Sequence, residues 1–366
     1  MLAELAVVVV VLVMVIFVYL KGTLIKSVGI LISVLAASIV TMSFFETLAK
    51  LVIGYGFGGE WMPGTIFLLL FVLVFVILNT ICDHFTPVDL YFGDFPDRAA
   101  RALVGAFAGF VVAGIILLTA AMLPIGTKWP YERFNAEGGS VRPAEPDKSL
   151  ILNADGFVAG FSSWVSQGSM AGKKSLALFH PDFVNEIHLN RIGKDENNLS
   201  IAGADAISVK AAWDANSELI SEKDKQPVSA ASGTRLVIVR AAIDARIVKE
   251  GGALSEEGGC AFTLAQFRLM CKDKVSAADL KGSGEIIYPV GIIKTANIVE
   301  EKKIAEEIVV ERSAFDGGAK TLDLVFNVPK DKMPVILEFK QNAVDQITRL
   351  VSGENIPAPL SAAKPE

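Results

Sequence analysis

Charge is nearly absent from four long stretches in the first third of this chain. Leu5–Leu20, Leu24–Phe45, Thr65–Cys82 and Ala102–Leu123 hold one charged residue between them, Lys26. About 18 apolar residues suffice to cross a bilayer, and runs this dense do not fit one soluble core. A water-soluble fold is therefore excluded for residues 1–124. The runs predict four transmembrane helices, over about 3–20, 24–45, 65–82 and 102–123. The same absence bears on activity. Ion-coupled transporters keep a carboxylate, histidine or arginine inside the membrane. Here Asn79 and Thr80, near the end of the third run, are the only sizeable polar pair, which argues against ion coupling.

Histidine and cysteine are scarce as well, with three of each. Outside the apolar region the histidines are His180 and His188, expected as surface or loop residues. A serine-protease triad needs a serine, a histidine base and an aspartate that orients it. The nearest approach to Gly-Asp-Ser-Gly is Asp316-Gly317-Gly318, which has no serine. Gly168-Ser169-Met170-Ala171-Gly172 is not a Gly-x-Ser-x-Gly elbow. No His-Glu-x-x-His motif, phosphate loop or dinucleotide glycine pattern is present. The expectation is a non-catalytic protein without a cofactor. Asp83, His84, Asp89 and Asp94 match no standard ligand spacing, so no metal is expected either.

A basic footprint is also missing. Residues 1–124 hold 5 Lys/Arg and 7 Asp/Glu, leaving 29 and 33 for the remaining 242 residues, a net charge near −4 with both signs interspersed. That excludes nucleic acid as a partner. Cysteine usage leaves two options. Cys260 and Cys271 suit a disulfide in an oxidising compartment, or they are two buried thiols. A bridge requires a turn near Ala265–Arg268, because the ends of one extended strand lie too far apart.

What is present organises the rest. No basic segment precedes the first run and no small-residue cleavage site follows it, so it is expected as a retained helix. Lys21, Lys26, Arg98 and Arg101 fall in the first and third connections, and only Lys50 in the second. Loops rich in Lys and Arg stay cytoplasmic, so both termini are expected outside the cytoplasm, with the soluble region following the fourth helix there. The stretch Asp83–Asp97 alternates aromatic and acidic residues and is expected along the cytoplasmic membrane surface. Helices in lipid associate through small residues that let backbones approach. Gly29, Ser33, Ala37 and Thr41 line one face of the second helix, and Gly105, Gly109 and Ala113 one face of the fourth. The expectation is that helices 2 and 4 touch, within one chain or across a homo-oligomer.

Lys21-Gly22 before the second helix, and Asp97-Arg98 followed by Gly105, Ala106 and Gly109 at the fourth, complete the pattern. The chain resembles the colicin V production protein (CvpA) family over roughly residues 1–125. Arg101 stands where the family usually has the first of its glycines, and Ala108 where it often has an arginine. The resemblance implies a four-helix bacterial inner-membrane protein tied to envelope integrity and colicin V export. Some relatives carry an extracytoplasmic trypsin-like protease after the bundle, the chemistry whose residues are missing here.

Beyond the bundle, residues 125–152 read as an extended linker held open by Pro130, Pro143 and Pro146. Residues 153–203 hold an amphipathic helix, Asn153–Met170, and a connecting region. Phe157, Val158, Phe161, Trp164 and Val165 share one face, expected to pack on the following β domain rather than lie on the membrane. Residues 204–352 alternate with period two between glycine turns. The strands expected are Ala206–Trp213, Arg235–Ile247, Ala261–Cys271, Glu285–Ile293, Glu307–Arg312, Thr321–Val328 and Pro334–Phe339. The stretch Leu322–Lys340 resembles the last strands of immunoglobulin-like secreted-lipoprotein modules, which implies a β-sandwich. Residues 353–366 are expected to be a disordered tail. The leading functional expectation is an anchored β domain that binds another envelope protein, peptidoglycan or itself. The alternative is an oligomeric channel or export component.

Overall fold

The computed structural model describes residues 2–20, 23–86, 93–168, 174–193, 200–244, 260–277, 279–315 and 318–360. The chain forms two compact units. The first comprises residues 1–51, 61–133 and 146–170, and the second residues 52–60, 134–145 and 171–366.

The first unit is helical. Its elements are α1 (Leu2–Leu20), α2 (Leu24–Gly54), α3 (Met62–Phe85), α4 (Asp94–Met122) and α5 (Ala154–Gln167). The first four are long and apolar enough to cross a membrane, the mark of a multi-pass membrane protein. Leu5, Leu12, Ile16, Leu69 and Leu73 are all more than half exposed. Such a surface is costly in water and neutral in lipid.

Small residues set the helix contacts, with partners other than those expected. A Cβ on Gly109 would lie 2.8 Å from Val11 Cα and 2.9 Å from Met14 Cβ, and one on Gly105 would lie 3.0 Å from Val15 Cα. The glycine stripe of α4 therefore seats on α1. Ala113 joins the same seam, clustering with Ala3, Val7 and Leu117. The small face of α2 turns to α3 instead. Gly29 lies against Cys82, and Ser33 Oγ donates to Cys82 Sγ over 3.6 Å. Ala37 and Thr41 are fully buried further along α2, and Phe45 meets Phe67 of α3 edge to face. The expected α2–α4 contact paired two small stripes with each other. In the structure the α4 stripe receives Val11, Met14 and Val15 of α1, which interlock with it more than a second flat face would.

The second unit is mainly β. It begins with two short helices, α6 (Leu176–Phe179) and α7 (Phe183–Asn190). Its strands are β1 (Ile207–Asp214), β2 (Ile220–Ser221), β3 (Thr234–Asp244), β4 (Cys260–Thr263), β5 (Phe267–Asp273) and β6 (Glu285–Ile287). They continue with β7 (Pro289–Thr295), β8 (Ile298–Glu301), β9 (Glu307–Val310), β10 (Ala319–Pro329), β11 (Lys332–Phe339) and β12 (Ala343–Gln346). One sheet has the order β1-β3-β10-β7-β8-β2, a second β12-β11-β5-β6, and β4 pairs with β9. Pairing is antiparallel except between β2 and β8.

Alternation explains the core. Val237, Val239, Ala241 and Ile243 of β3 and Leu322, Leu324 and Phe326 of β10 point one way from the long sheet. They share a cluster with Phe267, Leu269, Leu337 and Phe339 of the four-stranded sheet. Residues two apart on a strand share a face, so each sheet contributes one face to one apolar core. The expected Ala261–Cys271 strand is broken by a 3-10 turn at Leu264–Gln266, between β4 and β5. Strand β3 is described to Asp244, and the expected continuation to residue 247 lies outside the described residues.

Two segments expected to be loose are packed. Phe134 and Val141, within the expected linker, are buried with Leu189, Ile192 and Ala265. Part of the tail is docked too. Ile356 packs with the Trp213 and Leu219 cluster, and the Ala358 carbonyl accepts from Arg240 Nη1 at 2.9 Å. Sparse apolar residues carry these contacts, and windowed composition averages them away.

Candidate functional site

Several polar groups are buried, among them Asp155, which accepts from the Tyr131 hydroxyl at 2.6 Å. Two further clusters, one in each unit, hold the motif residues and the histidines. The first stands at the start of α4. Asp97 and Arg101 are one helical turn apart and form an ion pair of 2.8 Å, each almost fully shielded. Arg101 Nη1 donates to the Tyr19 carbonyl at 3.2 Å, and the guanidinium sits 4.9 Å from the Tyr19 ring centroid. The last carbonyls of α1 lack intrahelical donors. Arg101 supplies one and stacks on the ring of the same residue. This gives a physical role to the position that departs from the family pattern. Arg98 points to the exposed side. Lys21 and Gly22 lie outside the described residues, as does Asp89.

The second cluster is in the β unit, around α7 and β5. Arg268 and Glu338 face each other across the β5–β11 pair, and both side chains are 1% exposed. Arg268 Nη2 donates to Glu338 Oε1 at 2.5 Å, and its Nη1 donates to the Glu186 carbonyl at 3.1 Å. The Glu186 carboxylate meets His180 Nδ1 at 2.6 Å and accepts from the Asp182 amide at 2.9 Å. Burial pushes the Tyr288 hydroxyl up beside this group, with Arg268 opposing. The expected surface positions of His180 and His188 are therefore corrected, since both are buried. The short helices α6 and α7 fold them against the sheet. A single-residue reading had no signal for this, because the apolar pattern of an eight-residue helix is too short to assign a buried face.

A turn beside this cluster is unusual in its backbone. Lys340 and Gln341, joining β11 to β12, both adopt positive φ, at 47° and 62°. Left-handed backbone is strained for residues with a Cβ. The surroundings hold it. Lys340 Nζ donates to the Ala261 carbonyl at 2.6 Å, and Asn342 Nδ2 to the Ala202 carbonyl at 2.7 Å.

Cys260 and Cys271 are free and buried, each in the shared core. Burial pushes both thiols above their ordinary range. Among the described residues no three of His, Cys, Asp and Glu gather closely enough to hold a metal ion. Arg268, Glu338, Glu186 and His180 thus partner one another in the interior, while the buried Lys272 of β5 reaches the exposed Asp279 at 2.7 Å. Such a set orients strands and helices against one another.

Compared with known proteins, the chain matches no family model, no curated protein and no solved structure.

Proposed function

We propose that this chain is a CvpA-like protein of the bacterial inner membrane that anchors an extracytoplasmic binding domain. The bundle holds the β unit at the membrane. The β unit recognises another envelope protein or a second copy of itself, without catalysis. One observation supports this reading above the others. The chemistry-bearing residues of the β unit are spent on structure: His180 on Glu186 at 2.6 Å, Arg268 on Glu338, and Arg240 on Asp323 at 2.7 Å. Orientation with both termini outside the cytoplasm rests on the loop charges, and the immunoglobulin-like reading on two mainly antiparallel sheets that share one core. The alternative is a channel or export component built by oligomerising the bundle, for which the α4 glycines would be a natural seam between copies. Those glycines lie against α1 of the same chain, so the anchor reading is preferred.

Photo-crosslinkers placed on exposed positions of the β unit in intact cells test the proposal. Capture of a defined envelope protein, or of a second copy, is the expected result. Absence of any specific adduct, with normal cells after deletion of residues 204–352, would sink it. Thiol labelling from outside, after reduction and mild unfolding, tests orientation. Cys260 and Cys271 should react in intact cells.

A further inference from the structure

Helix α5 was expected to pack on the β domain, and it packs on α4 instead. After Asp155 it carries no charged residue. A Cβ on Gly114 would collide with the Ala154 carbonyl and lie 2.7 Å from Val158 Cγ2, so the α4 and α5 backbones meet there. Further down, the Phe157 ring stands 5.5 Å from the rings of both Phe107 and Phe110. An aromatic ladder continues outward, with Phe161 6.1 Å from Phe157 and Trp164 6.2 Å from Phe161. Trp164 is 71% exposed.

The depth of these contacts can be read from α1. Helices α1 and α4 run antiparallel, with Gly109 against Val11 and with Ala3 and Val7 clustered with Ala113 and Leu117. Glu4, the one charge in α1, is therefore level with the turn around Leu117. Its carboxylate accepts from the Ile151 amide at 2.6 Å and from the Leu152 amide at 3.4 Å. A charge at that level marks where the apolar slab ends. At ~1.5 Å per residue, Gly114 lies about 5 Å below it and Phe107 about 15 Å below it. Asp155, buried on the Tyr131 hydroxyl beside Ala154, is level with Gly114. Phe107 therefore lies about 10–15 Å inside a hydrocarbon core of about 30 Å. Phe157 touches Phe107, so α5 reaches that depth. A helix resting on the membrane surface would not.

We propose that α5 is embedded in the bilayer without crossing it, and that lipid acyl chains cover its Phe157–Phe161–Trp164 ladder. The inference rests on the reading of α1–α4 as spanning helices. Its 14 residues extend about 21 Å, too short for a span. Lipid is the fitting occupant because the ladder continues the exposed apolar surface of α4, where Leu103 and Phe107 also face outward. Ser166 Oγ donates to the Ser163 carbonyl at 2.7 Å, which satisfies the hydroxyl within the helix.

The test is depth-resolved quenching on the full chain. Trp61→Phe, Trp129→Phe and Trp213→Phe leave Trp164 as the sole tryptophan. The protein is placed in phosphatidylcholine vesicles whose acyl chains are brominated near the headgroup or near mid-chain. The expected result is loss of most Trp164 emission to mid-chain bromine and little further loss to aqueous iodide. A control protein carries Leu12→Trp as its sole tryptophan, with Trp164→Phe added. Quenching of the control by bromine with Trp164 open to iodide would overturn the proposal while leaving the spans intact. Failure of bromine to quench either position would overturn the spans and the proposal together. Because Trp213 is buried in the β unit, a second measurement keeps all native tryptophans except the labelled one. A nitroxide on Trp164→Cys, with Cys82→Ala, should collide more often with oxygen than with a water-soluble nickel complex. The reverse order overturns the proposal.

Discussion

In the membrane unit many large apolar side chains lie outside, beside buried ones such as Phe45 and Phe67, and in the β unit most lie inside. Leu12, Ile16, Leu69 and Leu73 of α1 and α3 are all more than half exposed, whereas Phe262, Phe267, Phe326 and Phe339 are fully buried. The solvent explains the inversion. Lipid gives helices no hydrophobic reason to associate, so close approach at Gly105 and Gly109 supplies dispersion contacts instead. Water drives large side chains together, so the β unit assembles around stacked and edge-to-face rings, with Phe267 and Phe339 centroids 4.6 Å apart. Charge follows the same division. Among the described residues the first unit keeps its buried charges near helix ends, in the Asp97–Arg101 pair at the start of α4 and in Asp155 at the start of α5, joined to Arg133 through the Tyr131 hydroxyl. The second carries the paired Arg268–Glu338 and Arg240–Asp323 in its interior.

The contrast can be broken most forcefully in the β unit. Glu338→Ala leaves Arg268 buried without its carboxylate, a loss of about 3–5 kcal/mol. Denaturant unfolding followed by circular dichroism should show the β signal lost early while helical signal remains. Loss of both signals together would mean the two units are not independent. Gly109→Leu should act the other way round. Its side chain meets Val11 at the backbone, and overpacking costs about 1–3 kcal/mol. Thermal unfolding in detergent should report a weakened helical unit with the β unit unchanged. Arg101→Gln removes the donor to the Tyr19 carbonyl and leaves Asp97 unpaired, with an expected loss of about 1.5–3 kcal/mol, read as earlier helical melting.

Cysteine chemistry sharpens the comparison by a smaller margin. Both thiols of the β unit titrate above their ordinary value of 9.0 when folded. The folded state holds the protonated form, so this contribution to stability is full below pH 9.0 and is lost as pH rises above it. Alkylation near neutral pH should be slow and should accelerate only when denaturant opens the β unit. Fast alkylation of native protein would contradict the burial. The smallest effect is expected at the surface. Lys294→Ala breaks contacts to Glu222 and Glu300 that are well exposed, worth about 0–1 kcal/mol. A shift in unfolding midpoint near the limit of measurement is the expected outcome.

Much of the fold was legible along the chain. The four apolar runs correspond to α1–α4, because length and apolarity are one-dimensional properties that lipid reads directly. Alternation located β1, β3, β10 and β11. It missed β2, β8 and β12, whose two to four residues are too few for a period to show. The candidate site was less legible. Asp97 was visible as part of a motif, but its pairing with Arg101 and the reach to Tyr19 join residues up to 82 positions apart. His180, Glu186, Arg268 and Glu338 carry no spacing signal, since α6, α7, β5 and β11 bring them together only in space.

The sequence by itself determined the division into a lipid-facing part and a water-facing part, because that division depends on composition within single segments. It also determined which residues are small enough for helices to meet. Which helix meets which was decided by the tertiary structure. A glycine stripe accepts any partner of complementary shape, and α1 filled the one on α4. The course of α5 was decided there too. Its aromatic face suits a β domain or a bilayer equally well, and only the backbone contact of Ala154 with Gly114 placed it against the bundle.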